Sequence, residues 1–458
     1  MPGTIGYRAR CAPEPPDRQM TASPDTGRRV RTGEWTAVGW SFLYFFCVLS
    51  AYYVIRPVRD QLSAAVGSTQ LPWFYGAVFV ATLALTPVFA WLVGRYPRRI
   101  VVPVVYLFFI ACLVGFIPLF THEGLLSPRA LGIVFFVWIS VFNLFVVSVF
   151  WSFMADIWND EQARRLFPAI AVGGSVGSLV GPAMALTLVD VIGVAPLLVV
   201  SAGLLGVAIL CAMVLGRWAS VHGLRRHEPG NAAPVGGGMF DGLRQVFGNP
   251  VMRTMAVLML LGDCIGTVNY ALVIDYSKAT FTDAVSRTQF AATLDLGTNL
   301  LAIGVQVFIA RPLLTRFGAA PAIALHAGVT MLVMLLVIVA ADPHSLAVGP
   351  LPWVALALVV SRGLAYGALG PARESLFAQV PRSLRYKGKN AVDTAVWRFG
   401  DMGVAVVMNG LRALGVVSLG FAAVNMAAAG ASGLIGWRLA KRVERGDDLS
   451  TTARPQPG

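Results

Sequence analysis

The apolar positions of this chain form long uninterrupted runs that are separated by short polar segments. About 20 apolar residues in a helix cross the hydrocarbon core of a bilayer, so the pattern predicts twelve membrane-spanning helices. Their predicted bounds are 35–55, 72–94, 100–120, 130–154, 167–189, 193–216, 252–274, 290–310, 319–341, 351–370, 391–411 and 415–437. We therefore expect an all-α polytopic membrane protein.

The polar connections between these runs are uneven in length. Residues 217–251 form the longest connection and follow the sixth predicted span. This position predicts two six-helix bundles, at residues 35–216 and 252–438, which a cytoplasmic linker joins. Residues 1–34 lack the apolar core of a signal peptide and are expected to form a disordered cytoplasmic tail, with residues 439–458 as a second tail.

The composition and charge also indicate a membrane protein. Hydrophobic residues make up 56% of the chain and charged residues 13%, whereas soluble proteins carry about 25% charged residues. This balance excludes a separate soluble catalytic domain. Of the 36 Lys and Arg residues, 28 lie in the tails and even-numbered loops and six in the odd-numbered loops, so the positive-inside rule predicts that both termini are cytoplasmic. The formal charge of +13 indicates contact with anionic lipid, and no nucleic-acid partner is expected.

The sequence contains no recognisable motif for catalysis or cofactor binding. The five cysteines are scattered, and no HExxH pattern occurs. Gly173, Gly177 and Gly181 stand four residues apart inside an apolar span, which favours close helix packing over a dinucleotide-binding loop. We therefore expect no enzymatic activity, no cofactor and no metal ion.

Charged side chains at the end of the first predicted span are costly wherever they lie in lipid, so each needs a partner or a water-filled cavity. Arg56 and Arg59 lie three residues apart and share a helical face if the helix continues through Pro57. Paired guanidinium groups suit a carboxylate or a phosphate, so both arginines are candidate substrate-binding residues. In the alternative interpretation, both cap the helix at the outer interface and pair with Asp60.

The second predicted bundle contains further charged residues within its spans. Arg362 and Arg398 are candidates to meet an anion from this half. Four acids are candidate charge-pair partners or proton-coupling sites: Asp263, Asp295, Asp393 and Asp401. The alternative for each residue is an interhelical ion pair that holds the bundle together, for example Arg362 with Asp263 or Asp295.

Two loops in corresponding positions of the halves, Gly94–Arg99 and Thr315–Gly318, place arginine beside a turn-forming residue. They resemble the loop motif of the major facilitator superfamily, although the usual aspartate of that motif is absent from both. Two six-helix halves around a central loop are similar to the architecture of that family. The resemblance implies a pseudo-symmetric bundle of twelve helices with a substrate site between the halves near the bilayer midplane.

Three regions resemble the nucleotide transporters that exchange ATP for ADP in intracellular bacteria and plastids. The matching segments are Ile55–Asp60, Phe150–Asp156 with Glu161–Pro168, and Lys387–Asp393 with Arg398–Asp401. Their order along the chain is the order in that family, and they touch both predicted halves. The resemblance implies a substrate-binding role for Arg59. Asp401 departs from the pattern, because the exchangers commonly carry lysine there, and an acid beside an anion site should weaken polyphosphate binding and suit a proton-coupled or zwitterionic substrate.

Together, these features predict a carrier of the bacterial inner membrane that works by alternating access. Its expected partners are the lipid bilayer and a small-molecule substrate, an organic anion such as a nucleotide in ATP/ADP-type exchange. Two alternatives remain open. One is a proton-coupled exporter of an unrelated small molecule with Asp295 as the coupling acid; the other is a membrane scaffold that transports nothing.

Overall fold

The computed structural model describes residues 34–122, 124–221, 248–379 and 397–445. Within these ranges the chain forms twelve long helices. They are α1 (Trp35–Val66), α2 (Leu71–Arg95), α3 (Arg98–Thr121), α4 (Pro128–Ile157), α5 (Asp160–Ile192), α6 (Pro196–Val221), α7 (Pro250–Thr280), α8 (Ala284–Phe317), α9 (Ala319–Val339), α10 (Trp353–Gln379), α11 (Trp397–Ala413) and α12 (Ser418–Arg445). A 3-10 turn at Ser68–Gln70 joins α1 to α2, and a short hairpin of β1 (Leu346–Val348) and β2 (Leu351–Pro352) joins α9 to α10.

The helices confirm the all-α polytopic fold. Eleven of them are long and apolar enough to cross a membrane, and α11 has 17 residues in the part of the chain that is described. The predicted span 391–411 begins outside the described residues. Most of the linker 217–251 and of the tail 1–34 also lies outside them. The proposed domain bounds, including the tail 439–458, therefore stay predictions.

Several helices extend beyond the predicted spans. Helix α1 passes through Pro57 and ends at Val66, although the prediction ended it at residue 55. Helix α5 begins at Asp160 instead of residue 167, because Asn159 accepts a hydrogen bond from the Gln162 amide at 2.8 Å and Gln162 accepts one from the Asn159 amide at 3.2 Å. A hydropathy count stops at charged residues, whereas helices continue wherever those residues find partners.

Helix α1 is the packing centre of the first half, where it contacts α4, α5 and α6. The predicted close packing of α5 through glycine is confirmed. A Cβ atom on Gly177 would lie 2.6 Å from the Phe46 carbonyl oxygen, and one on Gly181 would lie 2.6 Å from the Tyr53 Cβ. Any side chain at these positions would force α1 and α5 apart.

Buried polar contacts fix the first half at its core and at the start of α1. Tyr44 donates a hydrogen bond to the Tyr106 hydroxyl at 2.9 Å, and Tyr106 donates to the Val146 carbonyl at 3.0 Å. At the start of α1, both carboxylate oxygens of Glu34 accept from the Arg165 guanidinium of α5, at 2.9 and 2.8 Å. These bonds connect α1 to α3 and α5, and they connect α3 to α4.

The second half has two irregular helices that touch each other. Helix α8 contains a π-helical segment at Gln306–Ala310, and α10 contains one at Ala365–Leu369. The two segments are in contact, and a Cβ atom on Gly367 would lie 2.7 Å from the Ala302 carbonyl oxygen. Segments of π-helix widen a helix locally and frequently occur at functional sites. The space beside α8 and α10 is therefore a candidate functional site.

The two halves meet through a few helix pairs: α1 and α5 contact α8, α1 contacts α7, and α2 contacts α11. Asn299 of α8 donates a hydrogen bond to the Ser178 carbonyl of α5 at 2.8 Å across this interface. We call the end of the bundle that carries the α1–α2, α7–α8 and α11–α12 connections the outer end, and the opposite end the inner end.

Candidate substrate site

A buried ion pair joins the two halves. The Arg56 Nη2 atom of α1 lies 3.4 Å from the Asp295 Oδ1 atom of α8, and the two residues are 7% and 3% exposed. Among the described residues, neither Arg56 Nε nor Asp295 Oδ2 has a hydrogen-bond partner. The pair therefore retains unused hydrogen-bonding capacity inside the bundle, where unsatisfied charged groups are costly.

A second contact between the halves lies one helical turn further along α1. Arg59 Nε and Nη2 donate to Asp60 Oδ1 at 2.8 and 2.7 Å, and the Tyr270 hydroxyl of α7 donates to the same oxygen at 2.7 Å. The alternative interpretation had both arginines cap the helix and pair with Asp60. In the structure Arg59 pairs with Asp60 whereas Arg56 pairs with Asp295, and α1 continues to Val66, so neither arginine lies at the end of the helix.

Arg362 of α10 reaches the same region from the second half. Its guanidinium carbon lies 5.5 Å from the centre of the Tyr270 ring, the geometry of a cation–π contact. Arg362 lines a cavity of about 20 Å³ together with Asp60, Asp295 and Arg287. Of the two acids considered as neighbours of Arg362, Asp295 is the one that shares this cavity.

Arg287 is a site residue that the sequence analysis missed. It was counted with the odd-numbered loops, whereas the structure places it in the first turn of α8, with its Nε atom buried and without a hydrogen-bond partner among the described residues. Its spacing held a signal: Arg287, Asp295 and Asn299 are separated by multiples of four residues and so share one helical face. The prediction started the span at residue 290 and so cut this face short.

We call these residues the arginine layer: Arg56, Arg59, Asp60, Arg287, Asp295 and Arg362. The layer holds four arginines but two aspartates. Within the described part of the chain, Arg287 and Arg362 have no acidic partner at salt-bridge distance. Because arginine stays protonated in proteins, the layer has an excess of positive charge that suits an anion.

Asp263 and Asp401 lie together at a different place, between α7 and α11. Thr267 of α7 donates to Asp401 Oδ1 at 3.0 Å, and a Cβ atom on Gly400 would lie 2.6 Å from Asp263 Oδ2. Neither acid lines the cavity of the arginine layer. Asp393 lies outside the described residues, as does the side chain of Arg398, so the roles of these two stay predictions.

Polar contacts join the two halves at the outer end of the bundle. Arg412 Nη2 of α11 donates to Asp275 Oδ2 of α7 at 2.8 Å and to Ser68 Oγ at 2.7 Å, and Ser68 Oγ also bonds to Asp275 Oδ2 at 2.7 Å. Asn409 donates to the Thr69 carbonyl at 2.8 Å beside them. We call Ser68, Asp275 and Arg412 the outer clamp, since it ties the α1–α2 connection to α7 and α11.

Tyr366 lies in the π-segment of α10, one helical turn beyond Arg362, and is 51% exposed. The part of α10 that follows Arg362 is therefore accessible from outside the bundle core.

Comparison with protein families identifies the fold. The model of the Major Facilitator Superfamily matches residues 41–389, more than half of the 458-residue chain. The chain belongs to the major facilitator superfamily. This result confirms the predicted major-facilitator-type bundle of a membrane transporter, and it agrees with the expectation that the protein is not an enzyme.

A similar protein is ADP,ATP carrier protein 1 of Chlamydia muridarum (strain MoPn / Nigg). It is 22% identical over 433 residues, which cover 81% of this chain and 80% of the carrier. The similarity confirms the resemblance to nucleotide transporters that three sequence regions indicated.

Solved structures of major-facilitator transporters share the fold. The nucleoside transporter NupG has a TM-score of 0.58 at 16% identity and covers 89% of this chain and 98% of its own. The POT family transporter PepTSo has a TM-score of 0.61 at 13% identity, with coverage of 91% and 99%. At these identities the likeness concerns the architecture and not the substrate.

Proposed function

We propose that this major-facilitator protein carries an organic anion across the bacterial inner membrane, with a nucleotide as the leading candidate. One observation carries the proposal: the arginine layer between the halves holds two arginines, Arg287 and Arg362, without an acidic partner among the described residues. A buried excess of positive charge is costly in a membrane protein unless an anion offsets it. The distribution of Lys and Arg supports cytoplasmic termini.

Arg56 and Arg59 bind the anion from the first half, and Arg362 binds it from the second, as does Arg398 in the sequence-based assignment. Two contacts of the layer cross between the halves, Arg56 with Asp295 and Asp60 with Tyr270. An anion that draws Arg56 away from Asp295 weakens one of them. Binding then shifts the balance between two arrangements of the halves, because a ligand favours the state to which it binds more tightly.

A nucleotide is favoured by the relatives and is compatible with the position of Asp401. The chlamydial relative is named as an ADP,ATP carrier. Asp401 was expected to oppose a polyphosphate. In the structure it accepts a hydrogen bond from Thr267 and does not line the cavity of the arginine layer.

Counterflow in proteoliposomes tests this function. Vesicles loaded with unlabelled ADP receive labelled ATP, ADP or another phosphorylated metabolite outside, and uptake is followed with time. We expect nucleotide exchange by the wild type, at least a tenfold loss in Arg59→Gln, and little change in Arg99→Gln, whose side chain is exposed at the inner end. Folded protein without exchange of any nucleotide, or full exchange by Arg59→Gln, would contradict the proposal.

A second candidate function is proton-coupled transport through Asp295. The observation in its favour is that Asp295 Oδ2 is buried without a hydrogen-bond partner among the described residues, so a proton on this oxygen would break no hydrogen bond. If Asp295 is the coupling acid, Asp295→Asn should abolish substrate accumulation driven by a proton gradient. Exchange of substrate at equal pH on both sides of the membrane should continue. Loss of exchange as well would assign Asp295 to the substrate site.

A further inference from the structure

A second cationic feature lies at the inner end of the second half, away from the arginine layer. It is a groove of about 150 Å³ between the start of α7 and the last turns of α12. Its lining residues are Pro250, Val251, Thr254, Ile435, Arg438, Leu439 and Arg442. Water occupies about 30 Å³ per molecule in the liquid, so the groove has room for a phosphate group with its ester oxygens.

Two arginines supply most of the charge of this groove. Arg438 and Arg442 lie one helical turn apart on α12, both are exposed, and neither has an acidic partner at salt-bridge distance within the described residues. Arg253 is also exposed in the first turn of α7. The positive end of the α7 dipole points to the same place and adds to the attraction for an anion.

The walls of the groove are apolar, unlike those of a site for a soluble anion. Val251 and Leu439 are buried in its floor, and Ile435 continues the surface along α12. Further along this helix, Leu434 and Trp437 are 54% and 41% exposed. Exposed apolar and tryptophan side chains beside basic residues are typical of the region where a helix leaves the bilayer.

The last turns of α12 are held in place without help from the groove. Glu444 accepts a hydrogen bond from the Ala319 amide at the start of α9 at 2.9 Å, and the Lys441 ammonium lies 5.6 Å from the centre of the Trp437 ring. These contacts use the side chains that flank Arg438 and Arg442. Both arginines are therefore presented on a rigid support while their own charges stay available.

We infer that this groove binds the phosphate of an anionic phospholipid such as phosphatidylglycerol. Arg438 and Arg442 hold the phosphate, and the acyl chains lie along the apolar surface of α7 and α12. Basic pockets between helices at the cytoplasmic face are a general mode of anionic-lipid recognition. A lipid bound here bridges the first and last helices of the second half, which are in contact.

Lipid binding to the full-length protein in detergent tests the inference. Phosphatidylglycerol, phosphatidylcholine or inorganic phosphate is titrated in, and bound lipid is counted by native mass spectrometry while the unfolding temperature is followed. The test variant is Arg438→Gln with Arg442→Gln. The matched control is Arg95→Gln with Arg99→Gln, which removes two exposed arginines at the same spacing and the same end of the other half.

We expect at least one copy of phosphatidylglycerol to bind the protein more tightly than phosphatidylcholine does. Its binding should also raise the unfolding temperature. Interaction of basic residues with an anionic lipid contributes about 1 kcal/mol per residue, so the test variant should lose roughly tenfold or more in affinity. The control variant should keep wild-type binding.

Three results would overturn the inference. Unchanged phosphatidylglycerol binding by the Arg438 and Arg442 variant would remove the groove from consideration. Equal losses in both double variants would indicate general attraction to a charged surface. Equal stabilisation by inorganic phosphate would indicate a site for a soluble anion. None of these measurements uses transport, so they stand apart from the proposed nucleotide exchange.

Discussion

Arg56 and Asp295 are 239 positions apart in the chain, yet they form a buried ion pair of 3.4 Å that spans the two halves. The contact joins α1, the packing centre of the first half, to the face of α8 that also carries Arg287. In the proposed function, this pair lies where the anion binds and where the halves change their contacts during alternating access.

Neutralising one partner of this pair should cost more stability than neutralising both. Removal of a single partner leaves an uncompensated buried charge, which typically costs about 3–5 kcal/mol. We expect Arg56→Gln and Asp295→Asn each to lower the unfolding temperature, and the double variant to recover part of the loss. Thermal unfolding of the purified proteins measures this cycle. Strictly additive losses would show that the two side chains do not interact.

Arg287 should contribute to anion affinity and little to stability. It has no acidic partner among the described residues, so Arg287→Gln leaves no orphaned acid behind. Hydrogen bonds to charged groups contribute about 1.5–3 kcal/mol, so the half-saturating substrate concentration in counterflow should rise roughly tenfold or more. Arg311→Gln, at an exposed position of the same helix, is the control. An unchanged affinity would remove Arg287 from the site.

The outer clamp should hold the outer end shut. Arg412→Gln removes the hydrogen bonds to Asp275 and Ser68. Because the Asp275 side chain is 40% exposed, the ion pair contributes little free energy, and we expect the fraction of protein that is open at the outer end to rise about fivefold. A cysteine at Ala64, beside the cavity of the arginine layer, reports this opening when an impermeant maleimide is added from outside to cysteine-free protein.

The control for the clamp is Arg129→Gln, which removes an exposed arginine at the outer end of α4. It should leave the labelling rate of the introduced cysteine unchanged. If Arg412→Gln labels at the same rate as this control, the clamp does not govern access from the outer end.

Close contact between α1 and α5 should depend on the absence of a side chain at Gly177. A Cβ atom there would lie 2.6 Å from the Phe46 carbonyl, so the helices must move apart in Gly177→Ala. Overpacking of this kind costs about 1–3 kcal/mol. Gly206→Ala on α6 is the control, since a Cβ atom added there would have no neighbouring atom within 4 Å. Equal unfolding temperatures for the two variants would contradict the packing interpretation.

Local pattern predicted the overall architecture well, because each span needs only its own apolar residues to enter a bilayer. The number of helices and the glycine face of α5 could be predicted from short stretches, whereas the pairing of Arg59 with its chain neighbour Asp60 was one of two interpretations that the sequence left open. Helix ends were less accurate. The prediction ended α1 before Arg56 because a hydropathy count treats charge as a boundary, and it left Arg287 in a loop for the same reason.

The sequence by itself determined that the chain is a helical membrane protein, that several charged residues fall within its spans and how its lysines and arginines divide between the two ends. Only the tertiary structure decided that Asp295 meets Arg56, that Arg287 joins the arginine layer and that Asp401 turns to Thr267. The physical reason is that a buried charge needs a partner wherever it lies. Which residue becomes that partner depends on how distant helices pack against each other, and no local sequence pattern determines this packing.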